Sequence, residues 1–378
     1  MYQTDRRKQN LLLEGQLLSP EDIFLEWRSL EDTLPVSVEN VPEKRFRLEL
    51  FRFLTDWFND SDEMTVQTSG STGEPKLIRV RKEHMMNSAC ATCFQLRLAP
   101  GDKTLLCMSL QFIAGKMMVV RALVAGLDLF LAPPSGYPLK ETDVRFRFAA
   151  MVPMQIYNSL QVGLERDRLE RIGVLLVGGS AVEPKLEAVL KHFPNPVLAS
   201  YGMAETLSHI ALRRINGPDA SEFYTPLPSV RVFLSDESCL IIDAPLVSDQ
   251  RLYTNDRAEL RGDGSFRILG RVDNVINTGG IKVQTEALEA FLSDFIDLPF
   301  AISSLPDEKF GEIIVLAVEG VVDDALLTQT LHAENLPAHQ FPKQILNVDC
   351  LPRTESGKIN RGALRNLLQS NMLNLNTV

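Results

Sequence analysis

Between Thr104 and Ser200 the chain alternates short apolar runs with helical stretches, and this rhythm restricts the fold more than any other feature of the sequence. Thr104–Met108, Leu127–Ala132, Gly173–Val177 and Pro196–Ser200 are apolar in runs rather than at every second position, as strands buried on both faces are. Met117–Ala125 and Val182–His192 carry helical spacing between them. Strands with no solvent face need helices on both sides, so an α/β fold with buried strands is expected. From Ser229 the texture changes to short strands and turns: Arg231–Leu234, Leu240–Ile242, Glu259–Leu260, and Phe266–Leu269 after Gly262-Asp-Gly264. A second unit follows, with helix Gln284–Asp294, strands Phe300–Ser303 and Glu312–Val318, helix Asp323–Glu334 and terminal helix Arg361–Asn371. The expected organisation is a large amino-terminal domain over residues 1–270 and a smaller α+β carboxy-terminal domain over residues 271–378, with Gly270-Arg-Val-Asp273 as the hinge.

Bulk properties exclude several classes. With Lys+Arg 39 against Asp+Glu 49, the net charge is -10, so the surface repels polyanions and nucleic acid is not an expected partner. Any anion must be held locally. The apolar stretch Met117–Pro133 is interrupted by Arg121 and Asp128, which argues against a membrane span. The segment Leu11–Leu13 is too short for a signal peptide, and a cytoplasmic location is expected. Five cysteines at irregular spacing do not form a disulfide framework, and Cys90 and Cys93 read as two small buried residues on one helix face. A homo-oligomer is left open by the sequence.

The strongest local signal is Thr68-Ser-Gly-Ser-Thr-Gly-Glu-Pro-Lys76, between the strand-like segments Met64–Thr68 and Lys76–Arg81. Gly70 and Gly73 let consecutive N–H groups approach an anion, Thr68, Ser69, Ser71 and Thr72 add hydroxyl donors, and Lys76 adds a charge, which together make a phosphate cradle. It is not the loop of P-loop phosphotransferases, since its spacing differs and a strand, not a helix, follows the lysine. Gly178-Gly-Ser-Ala181 and Tyr201-Gly-Met-Ala-Glu-Thr206 follow the runs Gly173–Val177 and Pro196–Ser200, at the carboxyl ends of strands where ligands of open α/β sheets gather.

These segments resemble the adenylate-forming superfamily of acyl-CoA synthetases, adenylation enzymes and luciferases, and they occur in that family's order from Thr68 to Arg361. The resemblance implies an enzyme that uses ATP, Mg2+ and coenzyme A to activate a small-molecule carboxylic acid as its acyl-adenylate and pass it to a thiol. It implies layered α/β sheets with a distorted β subdomain in the large domain, and a mobile small domain. On it, Gly178, Gly179 and Ser180 meet the base, and the Tyr201 ring stacks on it beside Gly202 and Met203. Glu205 holds Mg2+ and Thr206 reaches a phosphate oxygen. Tyr253-Thr-Asn-Asp256 resembles the family's ribose segment, with Asp256 receiving the hydroxyls and Asn255 standing where glycine is usual. Arg271 supports ribose or phosphate, Asp273 is the pivot, and Gly279, Gly280 and Lys282 line the pantetheine tunnel, where close approach of a thiol arm explains the glycines. Leu351-Pro-Arg-Thr-Glu-Ser-Gly-Lys358-Ile-Asn-Arg361 matches the loop that bears the catalytic lysine, Lys358. Only 67 residues precede the phosphate loop, so the amino-terminal subdomain is expected to be reduced.

Within the superfamily, Ala150-Met-Val-Pro-Met-Gln155 resembles the V-P-x-Q stretch of o-succinylbenzoate–CoA ligases of menaquinone biosynthesis, and Leu110-Gln-Phe-Ile-Ala-Gly115 stands where those carry a Leu-Phe-His-type segment. Gln155 is thereby a substrate-binding candidate. Arg121 sits inside an apolar run, where a cation is costly unless it meets an anion. Two outcomes stand open: Arg121 or Lys116 holds a second carboxylate of the substrate, or Arg121 snorkels to solvent or pairs with a structural acid. Ligases for other aryl or short acids, carrier-loading adenylation enzymes and a nucleotide-binding regulator without catalysis are the competing functions.

Overall fold

The structure, a computed structural model, describes residues 2–32, 41–67, 77–354 and 358–375. Among these residues the largest sheet has nine strands. From one edge to the other they run Thr225–Pro226, His209–Arg214, Val197–Gly202, Val174–Val177, Phe148–Met151, Lys103–Leu106, Asp128–Leu131, Leu11–Leu13 and Gln16–Leu18. The six from Val197–Gly202 to Leu11–Leu13 are mutually parallel and the outer ones antiparallel. All four expected strands of the apolar-run region are present, and Phe148–Met151 joins them.

Side-chain alternation assigns successive residues to opposite faces. Val174 and Leu176 pack into one core with helices Lys82–Gln95 and Ile113–Ala125, while Leu175 and Val177 pack into another with helices Pro153–Leu160 and Pro184–Leu190. With helices on both faces, no strand residue in Val174–Val177 reaches solvent, which accounts for its unbroken apolar sequence. The chain runs from Lys103–Leu106 outward to Asp128–Leu131, then returns to the other side at Phe148–Met151, so the sheet has a switch point beside Lys103–Leu106. The first residues contribute the edge pair Leu11–Leu13 and Gln16–Leu18 and helix Pro20–Asp32. Helix Pro42–Phe58 begins with a proline at its first turn, where no N–H is needed, and buries Phe46, Leu50, Phe51, Phe53, Leu54 and Trp57. Six such side chains contribute on the order of 10 kcal/mol of gross burial energy.

Strands Arg231–Leu234, Cys239–Asp243, Leu252–Leu260 and Phe266–Arg271 form an antiparallel sheet with two register irregularities and a core of its own, the distorted β unit expected from the turn-rich sequence. Beyond it lies a third sheet, Ile281–Gln284, Val275–Thr278, Gly311–Glu319 and Phe300–Asp307, with Gln344–Val348 added parallel to Gly311–Glu319. Helices Thr285–Leu292 and Asp324–Ala333 pack on one side of it and terminal helix Arg361–Leu375 on the other. Gln344–Val348 and the hairpin Val275–Gln284 were not expected from the sequence. Neither is strongly apolar along its length, and each gains its place by pairing with distant strands. Among the described residues no helix is long and apolar enough to cross a membrane. All five cysteines are free, with Cys93 buried and Cys90 partly so on helix Lys82–Gln95.

Candidate active site

The phosphate-loop residues Thr68, Ser69, Gly70, Ser71, Thr72, Gly73 and Lys76 lie outside the described residues. Their flanks are strands Glu63–Gln67 and Leu77–Arg81, paired antiparallel with Gln67 opposite Leu77, so a strand does follow the lysine. Gly178, Gly179 and Ser180 form the turn that leaves strand Val174–Val177, and Gly179 and Ser180 are exposed. The neighbouring strand Val197–Gly202 carries Tyr201 and ends at Gly202, where a Cβ would stand 2.3 Å from the Ser208 carbonyl oxygen; only glycine lets the returning chain pass this close. Met203 and the short helix Ala204–Thr206 follow.

Two members of this segment are placed differently from expectation. Thr206 is fully buried: its Oγ1 accepts the Met203 N–H at 2.9 Å and lies 2.7 Å from the Ser208 carbonyl, so the hydroxyl closes a turn instead of facing the cleft. The Tyr201 ring packs edge-on against Phe266, with centroids 5.3 Å apart, and beside Tyr224, so much of its surface belongs to the core of the small sheet. Its hydroxyl donates to Asp256 at 2.6 Å. Burial and the neighbouring Asp256 carboxylate both raise the phenol's pKa.

Asp256 is the centre of a charged cluster. It accepts from Tyr201 on one oxygen and from Arg271 Nη1 at 3.1 Å on the other, each of which keeps a further lone pair. Arg271 reaches onward to Asp273 through Nη2 at 2.8 Å, and the Asn255 amide donates to both Asp273 oxygens at 3.1 Å. Burial pushes the Asp273 carboxyl up, but the hydrogen bonds from Arg271 and Asn255 outweigh it and the net shift is downward. Asn255 therefore has a task that the sequence did not disclose, although a side chain in a glycine position was the signal. Lys358, more than a hundred residues away in sequence, lies within electrostatic reach of Arg271 and Asp256. Burial lowers its pKa, Arg271 lowers it further and Asp256 acts in the opposite sense. Among the described residues its ammonium makes no hydrogen bond or ion pair; the preceding Glu355, Ser356 and Gly357 lie outside them. Arg361, three residues on, is tied to Glu289 at 2.7 Å and anchors the loop's far end.

Gly279 and Gly280 have φ of 59° and 83° and join Val275–Thr278 to Ile281–Gln284 as a two-residue hairpin turn. Positive φ at both central residues favours glycine in such a turn, so the hairpin itself is one reason for the pair. Lys282 is exposed on the outgoing strand.

Arg121 lies on helix Ile113–Ala125, only 2% exposed. It does not snorkel, and among the described residues it meets no acid. Nη2 donates to Ser208 Oγ at 2.5 Å, Nη1 lies 3.5 Å from Met118 Sδ, and Nε is buried with no partner. The nearby Cys93 thiol is pushed up to about 12 by burial and stays neutral, so it supplies no counter-charge. Burial lowers the guanidinium itself to about 10. Lys116, one turn earlier, points elsewhere: its ammonium donates to the Gln111 carbonyl at 3.3 Å and faces a groove of about 950 Å³ lined also by Asp56, Gln67 and Gln111. Burial lowers its pKa against the opposing influence of Asp56. Gln155 is turned to structure. Its amide donates to the Cys107 and Ser135 carbonyls at 2.9 and 3.0 Å and accepts the Val152 N–H at 3.2 Å, leaving it buried and occupied within the protein.

Glu205 is exposed, and among the described residues its carboxylate has no partner. No group of three or more potential metal ligands occurs among the described residues. A single free carboxylate fits Mg2+ carried mainly by phosphate oxygens and water, and does not fit a cage made wholly of protein.

A family model described as "AMP-binding enzyme" matches residues 51–243. A 2-succinylbenzoate–CoA ligase of Listeria monocytogenes serotype 4b (strain F2365) is 25% identical over 366 residues, covering 89% of this chain and 77% of its own. Among solved structures, an acyl-CoA synthetase (AMP-forming)/AMP-acid ligase II-like protein from Dyadobacter fermentans DSM 18053 is 33% identical, with a TM-score of 0.59 over 90% of this chain and 97% of its own. The o-succinylbenzoate coenzyme A synthetase of Bacillus subtilis, in complex with ATP and magnesium ion, is similar in fold, with a TM-score of 0.72 at 18% identity over 96% and 97% of the two chains.

Proposed function

Since the chain belongs to the AMP-binding enzyme family, we propose that it is an AMP-forming acid–thiol ligase that converts 2-succinylbenzoate to its CoA thioester in menaquinone biosynthesis. The observation that supports the ligase reading is that Lys358 lies within electrostatic reach of the Asp256–Arg271 pair, so two segments distant in sequence meet at one place for a nucleotide. The acid is supported by Arg121, a buried cation whose only strong partner among the described residues is a neutral hydroxyl, so that a dicarboxylate would bring the anion. Arg121 is favoured over Lys116 because Lys116 faces a different groove, near Asp56.

The substrate's aliphatic carboxylate attacks the α-phosphorus of ATP, the bond to the β-phosphate oxygen breaks, and pyrophosphate leaves. Asp256, with lone pairs left over from Tyr201 and Arg271, accepts the ribose hydroxyls. The loop Thr68–Lys76 cradles the departing phosphates, and the Lys358 ammonium neutralises charge between the attacking oxygen and the α-phosphate. Mg2+, held by Glu205 and the phosphates, supplies further neutralisation when bound. Residues 271–378 then turn about Asp273. This movement breaks the Asn255 contact and that of Lys185 with Asp297 and the Ile296 carbonyl. The thiol of coenzyme A, guided past Gly279, Gly280 and Lys282, attacks the acyl carbonyl and AMP leaves.

Incubating the protein with ATP, Mg2+ and a panel of aromatic and short acids, and reading acyl-AMP by mass spectrometry, tests this reading. 2-Succinylbenzoate should give the largest yield. A clear preference for a monocarboxylic acid rejects the substrate, and absence of any acyl-AMP together with tight adenylate binding favours a regulator.

A further inference from the structure

Among the described residues one strong hydrogen bond, to Ser208, orients the long buried Arg121 side chain with its five N–H donors. What holds Ser208 therefore decides where the guanidinium points. The Ser208 backbone is pinned by Thr206, whose Oγ1 lies 2.7 Å from the Ser208 carbonyl, and its N–H donates to the Thr206 carbonyl. Its hydroxyl faces His209 Nδ1 at 3.4 Å, and the other ring nitrogen, Nε2, lies 3.2 Å from Thr92 Oγ1. Thr92 Oγ1 in turn lies 3.0 Å from the Ser88 carbonyl one helical turn back.

These contacts allow two hydrogen polarities, one for each neutral tautomer of His209, and one of the two serves Arg121. In that polarity Thr92 donates its one hydroxyl proton to the Ser88 carbonyl and accepts from His209 Nε2–H. The neutral ring then has Nδ1 as its acceptor. At the other end Arg121 only donates, so Ser208 Oγ accepts from it and has its own proton free for Nδ1. The ring is buried, and burial first and Arg121 second hold its pKa well below the ordinary histidine value, so it is neutral as this arrangement requires. A protonated ring would donate from both nitrogens and force the Ser208 proton away.

We propose that Thr92, His209 and Ser208 form a one-way hydrogen-bond relay that positions the Arg121 guanidinium for the second carboxylate of the substrate, with His209 the positioning residue that sets selectivity for a dicarboxylic acid. This rests on the reading that Arg121 receives that carboxylate. His209 touches no substrate. It acts by holding the Ser208 proton on the side away from Arg121, which leaves the Ser208 lone pair as the anchor for Nη2.

The test compares kcat/KM for 2-succinylbenzoate with that for 4-oxo-4-phenylbutanoate, which lacks only the ring carboxylate, in the wild type and in His209→Leu, His209→Gln, Ser208→Ala and Arg121→Met. Loss of one charge-assisted link predicts that His209→Leu and Ser208→Ala lower the preference ratio by about tenfold, mainly through KM for the dicarboxylate, with KM for ATP unchanged. His209→Gln offers an N–H to Thr92 and an oxygen to Ser208, and should keep the ratio within about twofold. A ratio unchanged in His209→Leu and Ser208→Ala but collapsed in Arg121→Met overturns the relay and leaves the Arg121 reading standing. A ratio unchanged in Arg121→Met removes the reading itself. Equal losses on both acids in His209→Leu, without rescue by glutamine, reduce His209 to a packing residue and also overturn the proposal. The wild-type protein supplies an independent check, because nitrogen-15 NMR should find the neutral Nε2–H tautomer, and an Nδ1–H tautomer contradicts the relay even if His209→Leu fails to fold.

Discussion

Replacing Arg121 by methionine should make the ligand-free protein more stable while destroying its use of a dicarboxylic acid. The magnitude follows from burial. Arg121 is held at about 10 instead of its ordinary 12.5 by burial in an environment with no anion, which at ~1.36 kcal/mol per pKa unit is about 3 kcal/mol held against the folded state. The sign is that of a base whose charged form is disfavoured on folding. The penalty is present in full below about pH 10 and fades as pH rises from there toward 12.5, so it is undiminished at neutral pH. Methionine fills a similar volume without charge. Against the gain stands the Ser208 hydroxyl, which loses its donor at a cost of about 1 kcal/mol. The net gain is about 2 kcal/mol, and at about 2 °C per kcal/mol for a protein of this size the melting temperature should rise by roughly 4 °C. Calorimetry of the ligand-free wild type and variant at pH 7.5 measures it. Excess 2-succinylbenzoate should then raise the wild-type melting temperature and leave that of the variant where it was. A lower melting temperature for Arg121→Met would refute the reasoning, because it would mean that the cation is already compensated in the folded protein.

Asn255→Gly removes both amide contacts to Asp273; adenylate formation, read as pyrophosphate release, should slow about fivefold for a loss of about 1 kcal/mol, with single-turnover conversion of supplied acyl-adenylate unaffected. Equal slowing of both half-reactions would count against a hinge clamp. Because burial and Arg271 depress the Lys358 pKa, the rate of adenylate formation should fall as pH rises through that lowered value, earlier than for a lysine in water. Arg271→Gln should move this alkaline limb upward, and a limb that stays in place would separate Lys358 from Arg271. Arg361→Met leaves Glu289, which is mostly shielded from water, with only the Ile302 N–H as partner among the described residues, and should cost about 2 kcal/mol in urea unfolding; a loss under about 0.5 kcal/mol would mark the pair as a surface contact.

The motifs that carry the family resemblance are local. A glycine-and-hydroxyl loop, a tyrosine and glutamate after a strand, and a lysine behind Ser356-Gly357 are each short motifs whose order along the chain carries the resemblance. The sequence did not show which side chains are held by distant backbone. Gln155 is occupied by carbonyls at Cys107 and Ser135, and Thr206 closes the turn onto Ser208. Gly279 and Gly280 also meet a demand that the sequence did not show, positive φ at both central positions of a tight hairpin.

What the sequence determined by itself was the run of buried strands and helices between Thr104 and Ser200, since apolar runs and helical spacing report locally on whether a segment has a solvent side. Tertiary structure alone decided which polar groups are satisfied. Arg121 and Ser208 are 87 positions apart, and Asn255 and Asp273 are 18 apart on neighbouring elements. Whether a buried cation has met its anion depends on which distant side chains the fold brings within hydrogen-bonding distance, a property of three-dimensional packing that no window along the chain contains.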